Sequence, residues 1–183
     1  MKSLFPILLI SLLFCFSCSD DEVSADLKYD GDNFSAPVFD DVVFEAGSRF
    51  PATLTSAFVG NQLTDVEFYI DNIPASCELI IYDEGTQSSP GVVLYSANVA
   101  NGLDSDAWNN HKLTTPVEIS GRDLWICVKA EHVGSAMSIG CDAGPAVSNG
   151  DWLKYDILDW QSLREYSNDN VNINWNIRGF VSN

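Results

Sequence analysis

The most regular stretch of this sequence is Val171-Asn172-Ile173-Asn174-Trp175-Asn176-Ile177-Arg178-Gly179-Phe180-Val181. Successive side chains of a β-strand point to opposite faces of its sheet. One face of this stretch would carry Val171, Ile173, Trp175, Ile177 and Val181, and the other Asn172, Asn174, Asn176 and Arg178. The pattern predicts one strand over residues 171–181 with a buried apolar face. We interpret the asparagine face as a solvated sheet surface, with a ligand-facing surface as the alternative.

Shorter segments of the same kind recur along the chain. They predict strands over residues 42–46, 63–71, 77–82, 92–99, 108–119 and 124–130, and a short helix over 54–59. Turn residues separate these segments, as at Ser88-Ser89-Pro90-Gly91. Short strands with turn signals and almost no helical periodicity are typical of an all-β fold. We predict a single-domain antiparallel β-sandwich, jelly-roll-like, in which Pro116 marks an edge strand or a bulge.

Residues 1–17 have the composition of an export signal. Lys2 precedes an apolar run over residues 4–16 that is too short to span a bilayer as a lasting helix. Ser17 precedes Cys18, and the acidic stretch Ser19-Asp20-Asp21-Glu22 follows it. The arrangement resembles a bacterial lipoprotein signal that anchors Cys18 in the outer membrane, with the protein exposed on the cell surface. The alternative is ordinary signal-peptidase cleavage, which would release a soluble protein.

The charge of the chain restricts its partners. It has 9 basic and 26 acidic residues, and removing Lys2 with the signal leaves 8 against 26, a net charge of −18. Nucleic acid and anionic lipid headgroups are polyanions and need a basic surface on the proteins that bind them. We therefore expect no nucleic-acid partner, and contact with the membrane only through the lipid anchor.

Cysteine, histidine and serine offer little for catalysis. Cys77, Cys127 and Cys141 fall in the folded domain, so at most one disulfide forms and one thiol is left over. The only histidines are His111 and His132, without zinc-ligand spacing. Ser135 and Ser138 lie near His132 in sequence, but no Gly-x-Ser-x-Gly motif is present. We expect a non-enzymatic protein.

Two sets of residues are candidate ligand sites. Trp152 and Trp160 follow a loop-rich region that contains Asp142, Asn149 and Asp151, and aromatic rings beside amides and carboxylates are typical of carbohydrate sites. The alternatives are core packing for the tryptophans and backbone capping for Asp142 and Asp151. Asp30, Asp32 and Asp142 supply the oxygen ligands that calcium prefers. The alternative for Asp30 and Asp32 is an ordinary turn.

Several motifs together resemble a known family. They are Tyr29-Asp30-Gly31, Ala46-Gly47-Ser48-Arg49-Phe50-Pro51-Ala52, Leu63-Thr64-Asp65-Val66-Glu67-Phe68-Tyr69, Pro90-Gly91-Val92-Val93-Leu94-Tyr95, Leu124-Trp125-Ile126, Cys141-Asp142-Ala143-Gly144-Pro145, Gly150-Asp151-Trp152 and Asn174-Trp175-Asn176-Ile177-Arg178-Gly179-Phe180-Val181. In this order they resemble β-sandwich modules of Bacteroidetes surface proteins, similar to the cleaved-adhesin or haemagglutinin domains of gingipains. That family has Asp-Asp-Gly where this chain has Tyr29-Asp30-Gly31.

The resemblance implies a functional expectation and a domain layout. We expect a signal peptide over residues 1–17, an acidic tether over 18–27 and an adhesin-like domain over 28–183. The domain would act as a non-catalytic adhesion or glycan-binding module, with a glycan or a host or bacterial surface protein as its partner. The alternatives are an accessory lipoprotein that docks onto another outer-membrane protein, and a hydrolase.

Overall fold

The computed structural model describes residues 26–183, in which short alternating segments form eleven strands. These are β1 (Val38–Phe39), β2 (Val43–Phe50), β3 (Gln62–Ile70), β4 (Ser76–Tyr82), β5 (Val93–Asn98), β6 (Ala107–Glu118), β7 (Leu124–Glu131), β8 (Ala136–Met137), β9 (Trp152–Tyr155), β10 (Gln161–Ser162) and β11 (Ile177–Ser182). Two one-turn helices, α1 (Ala52–Thr55) and α2 (Leu163–Tyr166), and a 3-10 helix (Ser56–Phe58) complete the secondary structure of these residues.

The predicted signal peptide, the predicted lipidation site Cys18 and the tether as far as residue 25 lie outside the described residues. The end of the tether was predicted wrongly. The backbone N–H of Leu27 donates to the carbonyl of Gly179 in β11, and the Leu27 side chain is buried in the core. Within residues 26–183, no helix combines the length and the apolar character that crossing a membrane requires.

The strands form an antiparallel sandwich. The larger sheet has the order β10-β9-β2-β7-β4-β5 and the smaller one β11-β3-β6, while β1 pairs with β8. Apolar side chains of both sheets share one core, and its members include Phe44, Phe50, Leu63, Val66, Phe68, Leu79, Ile81, Ile126, Val128 and Ile177. Burying alternate residues of each strand in this way is the usual means of holding two sheets together. The prediction of an all-β sandwich is confirmed.

Pro116 lies in an edge strand and also beside an irregularity in its pairing. It belongs to β6, the edge strand of the smaller sheet. The pairing of β3 with β6 shifts register between Asp65↔Lys112 and Leu63↔Val117, so Pro116 falls in an irregular part of the ladder. Proline has no N–H to donate, and an edge strand with a bulge loses least from its absence.

The prediction of one strand over residues 171–181 is wrong in its first half. Strand β11 begins only at Ile177, and residues 174–176 bond to loops instead. The N–H of Trp175 donates to the carbonyl of Gly150, the N–H of Asn176 to that of Gly140, and the carbonyl of Asn174 accepts from Asp142. Apolar side chains still alternate along this stretch because its backbone is extended. Its hydrogen-bond partners, however, are loops and not a neighbouring strand.

The interpretation of the asparagine face as a solvated surface holds for exposed Asn172 and is wrong for Asn174 and Asn176. Asn174 and Asn176 are 2% and 0% exposed. Their side-chain amides donate to buried carboxylates, Asn174 to Asp142 at 2.9 Å and Asn176 to Asp30 at 2.7 Å. Arg178 also donates to Asp30, at 2.9 Å. Buried polar groups need such partners, and these two carboxylates attach the last stretch to the loops that precede it.

Candidate functional site

The side of the larger sheet that faces away from the core carries aromatic and charged residues. On β2 the side chains of Phe44, Ala46 and Phe50 enter the core, so Glu45 and Arg49 alternate onto the opposite side. Cross-strand pairing places two rows there: Trp152, Gly47, Cys127 and Ile80 in one, and Arg49, Trp125 and Tyr82 in the next. We call this surface the outer face.

Three tryptophans pack together on the outer face, and we call them the tryptophan cluster: Trp125, Trp152 and Trp160. Trp125 is fully buried beneath the other two, whose ring centroids lie 5.2 Å and 5.6 Å from its own. Trp152 and Trp160 are half-buried. The indole N–H groups of Trp125 and Trp152 are buried and have no acceptor within residues 26–183.

Gly47 makes room for this packing. A Cβ atom at this position would lie 2.7 Å from the Cys127 sulfur and 3.3 Å from Cζ3 of Trp160. Contacts below 3.0 Å to a heavy atom are not tolerated. The absence of a side chain at Gly47 therefore lets Trp160 rest against the sheet, which the sequence pattern alone does not reveal.

Arg49 borders the tryptophan cluster and holds the surrounding loops in place. Its guanidinium lies 5.9 Å from the ring centroid of Trp125, within cation–π range. Its Nη1 donates to Asn149 Oδ1 and to the carbonyl of Gln87, each at 3.1 Å, and its Nε donates to Asp123 at 2.9 Å. Arg49 thus connects Asn149 to Trp125, and the ligand-binding role of Asn149 stays a prediction.

A charged row continues the outer face beyond the tryptophans. Glu45 of β2 lies between Lys154 and Lys129, and its carboxylate accepts a hydrogen bond of 2.8 Å from the Tyr82 hydroxyl. Burial raises the pKa of Glu45, and the Tyr82 hydrogen bond and the two lysines only partly oppose this. Glu45, Lys129 and Lys154 help to line a cavity of about 210 Å³. Sequence reasoning missed this row, although its strand spacing indicates a shared face.

Asp142 and Asp151 are capping residues, as the alternative to a ligand site predicts. Asp142 Oδ1 accepts from the backbone N–H groups of Gly144 and Asn174, and Oδ2 accepts from Gly31 N–H and the Asn174 amide. Asp151 accepts from the N–H of Arg164 in α2 and is buried. Because both Asp142 oxygens are used by hydrogen bonds, this carboxylate is poorly suited to a metal ligand.

The calcium prediction now depends on Asp30. Three side-chain oxygens, Asp30 Oδ1, Asn33 Oδ1 and Asn176 Oδ1, are buried without a donor in residues 26–183, whereas Asp32 is exposed. Carboxylate and amide oxygens suit calcium, but the Arg178 guanidinium on Asp30 already neutralises that carboxylate. No group of three or more His, Cys, Asp or Glu side chains within the described residues is arranged for a metal. Calcium binding stays a prediction.

The cysteines and the serine–histidine pairs form no reactive constellation in residues 26–183. Cys77, Cys127 and Cys141 are all buried and free, so the disulfide that exported location would permit is not formed among them. The Ser135 hydroxyl donates to Asp40, and the His111 imidazole is hydrogen-bonded to the Tyr95 hydroxyl at 2.8 Å. His132 is buried, and its Nε2 has no partner in this part of the chain.

A second concave surface lies at the other side of β9 and was not foreseen from sequence. It is a groove of about 400 Å³ between the segment 34–40 and helix α2, and we call it the apolar groove. Its lining residues are Phe34, Ser35, Ala36, Pro37, Val38, Phe39, Asp40, Cys141, Tyr155, Leu163, Tyr166, Ser167, Val171 and Ile173. The groove joins residues far apart in the chain, and no local pattern marks it.

Comparison with known proteins adds no name to these surfaces. No family model, no curated protein and no solved structure matches this chain.

Proposed function

We propose that this protein is an outer-membrane lipoprotein, anchored through Cys18 and exposed at the cell surface, whose domain binds glycans without catalysing a reaction. The observation that supports glycan binding is the tryptophan cluster. Trp152 and Trp160 are half-buried and rest on buried Trp125, near the hydrogen-bonded Arg49 and Asn149.

Rigid aromatic rings next to fixed polar groups suit sugar rings, which have apolar faces and hydroxyl edges. The rings of Trp152 and Trp160 are held by packing, so a ligand need not order them on binding. Arg49 and Asn149 fix each other and supply both donors and acceptors at the rim. The row of Lys129, Glu45 and Lys154 extends the polar part of the same face.

A glycan array tests the binding proposal directly. The protein without residues 1–17 and with Cys18→Ser is screened, and Trp160→Ala is compared with Trp108→Ala. Trp108 is the matched control because it packs on the smaller sheet, 3.8 Å from the Arg178 guanidinium. We expect Trp160→Ala to weaken binding at least tenfold and Trp108→Ala to leave it unchanged. Absence of binding to every glycan, or equal binding by both variants, contradicts the proposal.

The anchor is tested separately from the ligand. Metabolic labelling with a palmitate analogue should mark the wild-type protein and leave Cys18→Ala unlabelled. Protease added to intact cells should digest the domain if it is displayed outward. Protection from protease would contradict surface exposure while leaving lipidation in place, and an unlabelled wild type would favour cleavage to a soluble protein.

A further inference from the structure

The apolar groove exposes side chains that a soluble domain would normally bury. Phe34, Val38 and Tyr166 on its rim are 73%, 62% and 37% exposed. Tyr166 packs against Tyr155 with ring centroids 5.3 Å apart, and Tyr155 contacts Phe39, which belongs to the core. The exposed rim is therefore continuous with the core. Apolar patches of this kind mark interaction surfaces when they form a concave site.

One wall of the groove is an extended chain segment. Ser35 exchanges backbone hydrogen bonds with Cys141, and Val38 pairs with Met137 in the two-stranded sheet β1–β8. These bonds fix the backbone of the segment, so the positions from which Phe34 and Val38 project are set before any ligand arrives. An ordered, extended backbone that carries apolar side chains suits an extended peptide, whose alternate side chains can enter the groove.

The charge around the groove selects the occupant. Asp40 is the one acidic residue among the residues that line the groove, and the lining contains no Lys, Arg or His. Asp40 and Asp156 also lie close enough to Tyr155 to add to the effect of burial in raising the pKa of its hydroxyl. On α2, the basic Arg164 is 4.0 Å from Asp169. A basic segment is attracted to this rim, whereas a second copy of a chain with net charge −17 is repelled.

We propose that the apolar groove is a docking site for an extended peptide segment of a partner protein, with large apolar side chains flanked by lysine or arginine. This interaction is independent of glycan binding, because the tryptophan cluster lies on the outer face and shares no residue with the groove. The protein would then hold a glycan and a protein partner on separate surfaces.

Calorimetry with defined peptides tests the proposal. The probe is Lys-Phe-Lys-Val-Lys with blocked ends, compared with Glu-Phe-Glu-Val-Glu and Lys-Ser-Lys-Ser-Lys. The test variant is Phe34→Ser with Val38→Ser, and the control is Val92→Ser with Val93→Ser. Val92 and Val93 are exposed apolar residues at β5, on the opposite edge of the larger sheet from β10. All four positions are on the surface, so neither double variant removes a buried side chain.

We expect only the lysine–apolar peptide to bind the wild-type protein. This peptide should bind the Phe34→Ser, Val38→Ser variant at least tenfold more weakly. It should bind the Val92→Ser, Val93→Ser control as tightly as the wild type. High salt should weaken binding because rim carboxylates attract the basic flanks. Equal binding of the glutamate or serine peptide, equal binding by the test variant, or no binding at millimolar concentration overturns the proposal. Concentration-dependent dimers that disappear in the test variant would assign the groove to a second copy instead. Loss of glycan binding in the test variant would assign it to the glycan.

Discussion

Asp142 accepts two hydrogen bonds from the same residue, Asn174, at 2.8 Å from its backbone N–H and 2.9 Å from its side-chain amide. Both residues are buried, and 32 positions separate them in the chain. The pair attaches the glycine- and proline-rich loop after Cys141 to the segment before β11. A loop of this composition has little local order, and the contact offsets the entropy lost when it is fixed.

Replacing Asp142 should therefore destabilise the whole domain. Asp142→Ala leaves the N–H groups of Gly144 and Asn174 without their acceptor, and each buried unsatisfied donor costs about 1–3 kcal/mol. We expect a loss of roughly 3 kcal/mol in the free energy of unfolding, measured with urea. Asp32→Ala is the control, because Asp32 is exposed and should change stability by less than about 0.5 kcal/mol. Equal stability of both variants would show that the loop is held by other contacts.

The stability that Asp142 provides should also depend on pH. Burial opposes ionisation, but hydrogen bonds from Asn174, Gly144 and Gly31 outweigh it and hold the pKa of Asp142 below its ordinary value of 3.8. A lowered folded-state pKa gives stability that is present above 3.8 and is lost as the pH falls through the folded-state pKa. The stability difference between wild type and Asp142→Ala should accordingly shrink in acid. A difference that stays constant down to pH 2 would contradict this assignment.

Glu45 should behave in the opposite way. Burial raises its pKa above the ordinary 4.5, so its contribution to stability is present below 4.5 and is lost as the pH rises through the folded-state pKa. Glu45→Gln should therefore increase the free energy of unfolding at pH 7, and the gain should disappear below pH 4.5. Urea titrations at several pH values measure it, with exposed Glu118→Gln as the control. A destabilised Glu45→Gln at pH 7 would mean that the lysine contacts outweigh the burial.

Gly47→Ala should disturb the tryptophan cluster. The new methyl group would lie 2.7 Å from the Cys127 sulfur, so the sheet or Trp160 must move. Overpacking of this kind costs about 1–3 kcal/mol, and the emission of the displaced tryptophan should shift to longer wavelength. Gly31→Ala is the matched control because nothing lies within 4 Å of its added Cβ. An unchanged spectrum in Gly47→Ala would contradict the described packing of Trp160.

The three domain cysteines should be inert in the folded protein. Burial raises the pKa values of Cys77 and Cys141 to about 12, and Cys127 is fully buried. Since the thiolate is the reactive form, a thiol reagent should label none of the three in the native Cys18→Ser protein and all three in denaturant. A reducing agent should leave the melting temperature unchanged. Fewer than three labelled thiols after denaturation would reveal a disulfide.

The sequence was sufficient for the class of fold and the position of most strands. Alternation at residues 63–71 and 124–130 reports which side chains are buried, because a strand has a period of two whatever its partners are. Residue chemistry also predicted that Pro116 lies in an edge strand or a bulge, since its missing N–H is a property of the residue itself. Residue type and proximity in sequence also grouped Trp152 with Trp160, and the structure packs both against Trp125. Their role in ligand binding stays a prediction.

Only the tertiary structure decided what the extended end segment contacts. Asn174 and Asn176 are polar, so their residue type is as compatible with a solvated surface as with a buried position. They are buried because Asp142 and Asp30, on distant loops, accept hydrogen bonds from their side-chain amides. The packing of Trp160 on Gly47 and the joining of Phe34 with Tyr166 in one groove likewise depend on positions far apart in the chain. Residue type determines which polar groups need a hydrogen-bond partner and which apolar side chains are buried. Chain topology determines which residues they then contact. Polar burial and concave surfaces are long-range properties for that reason.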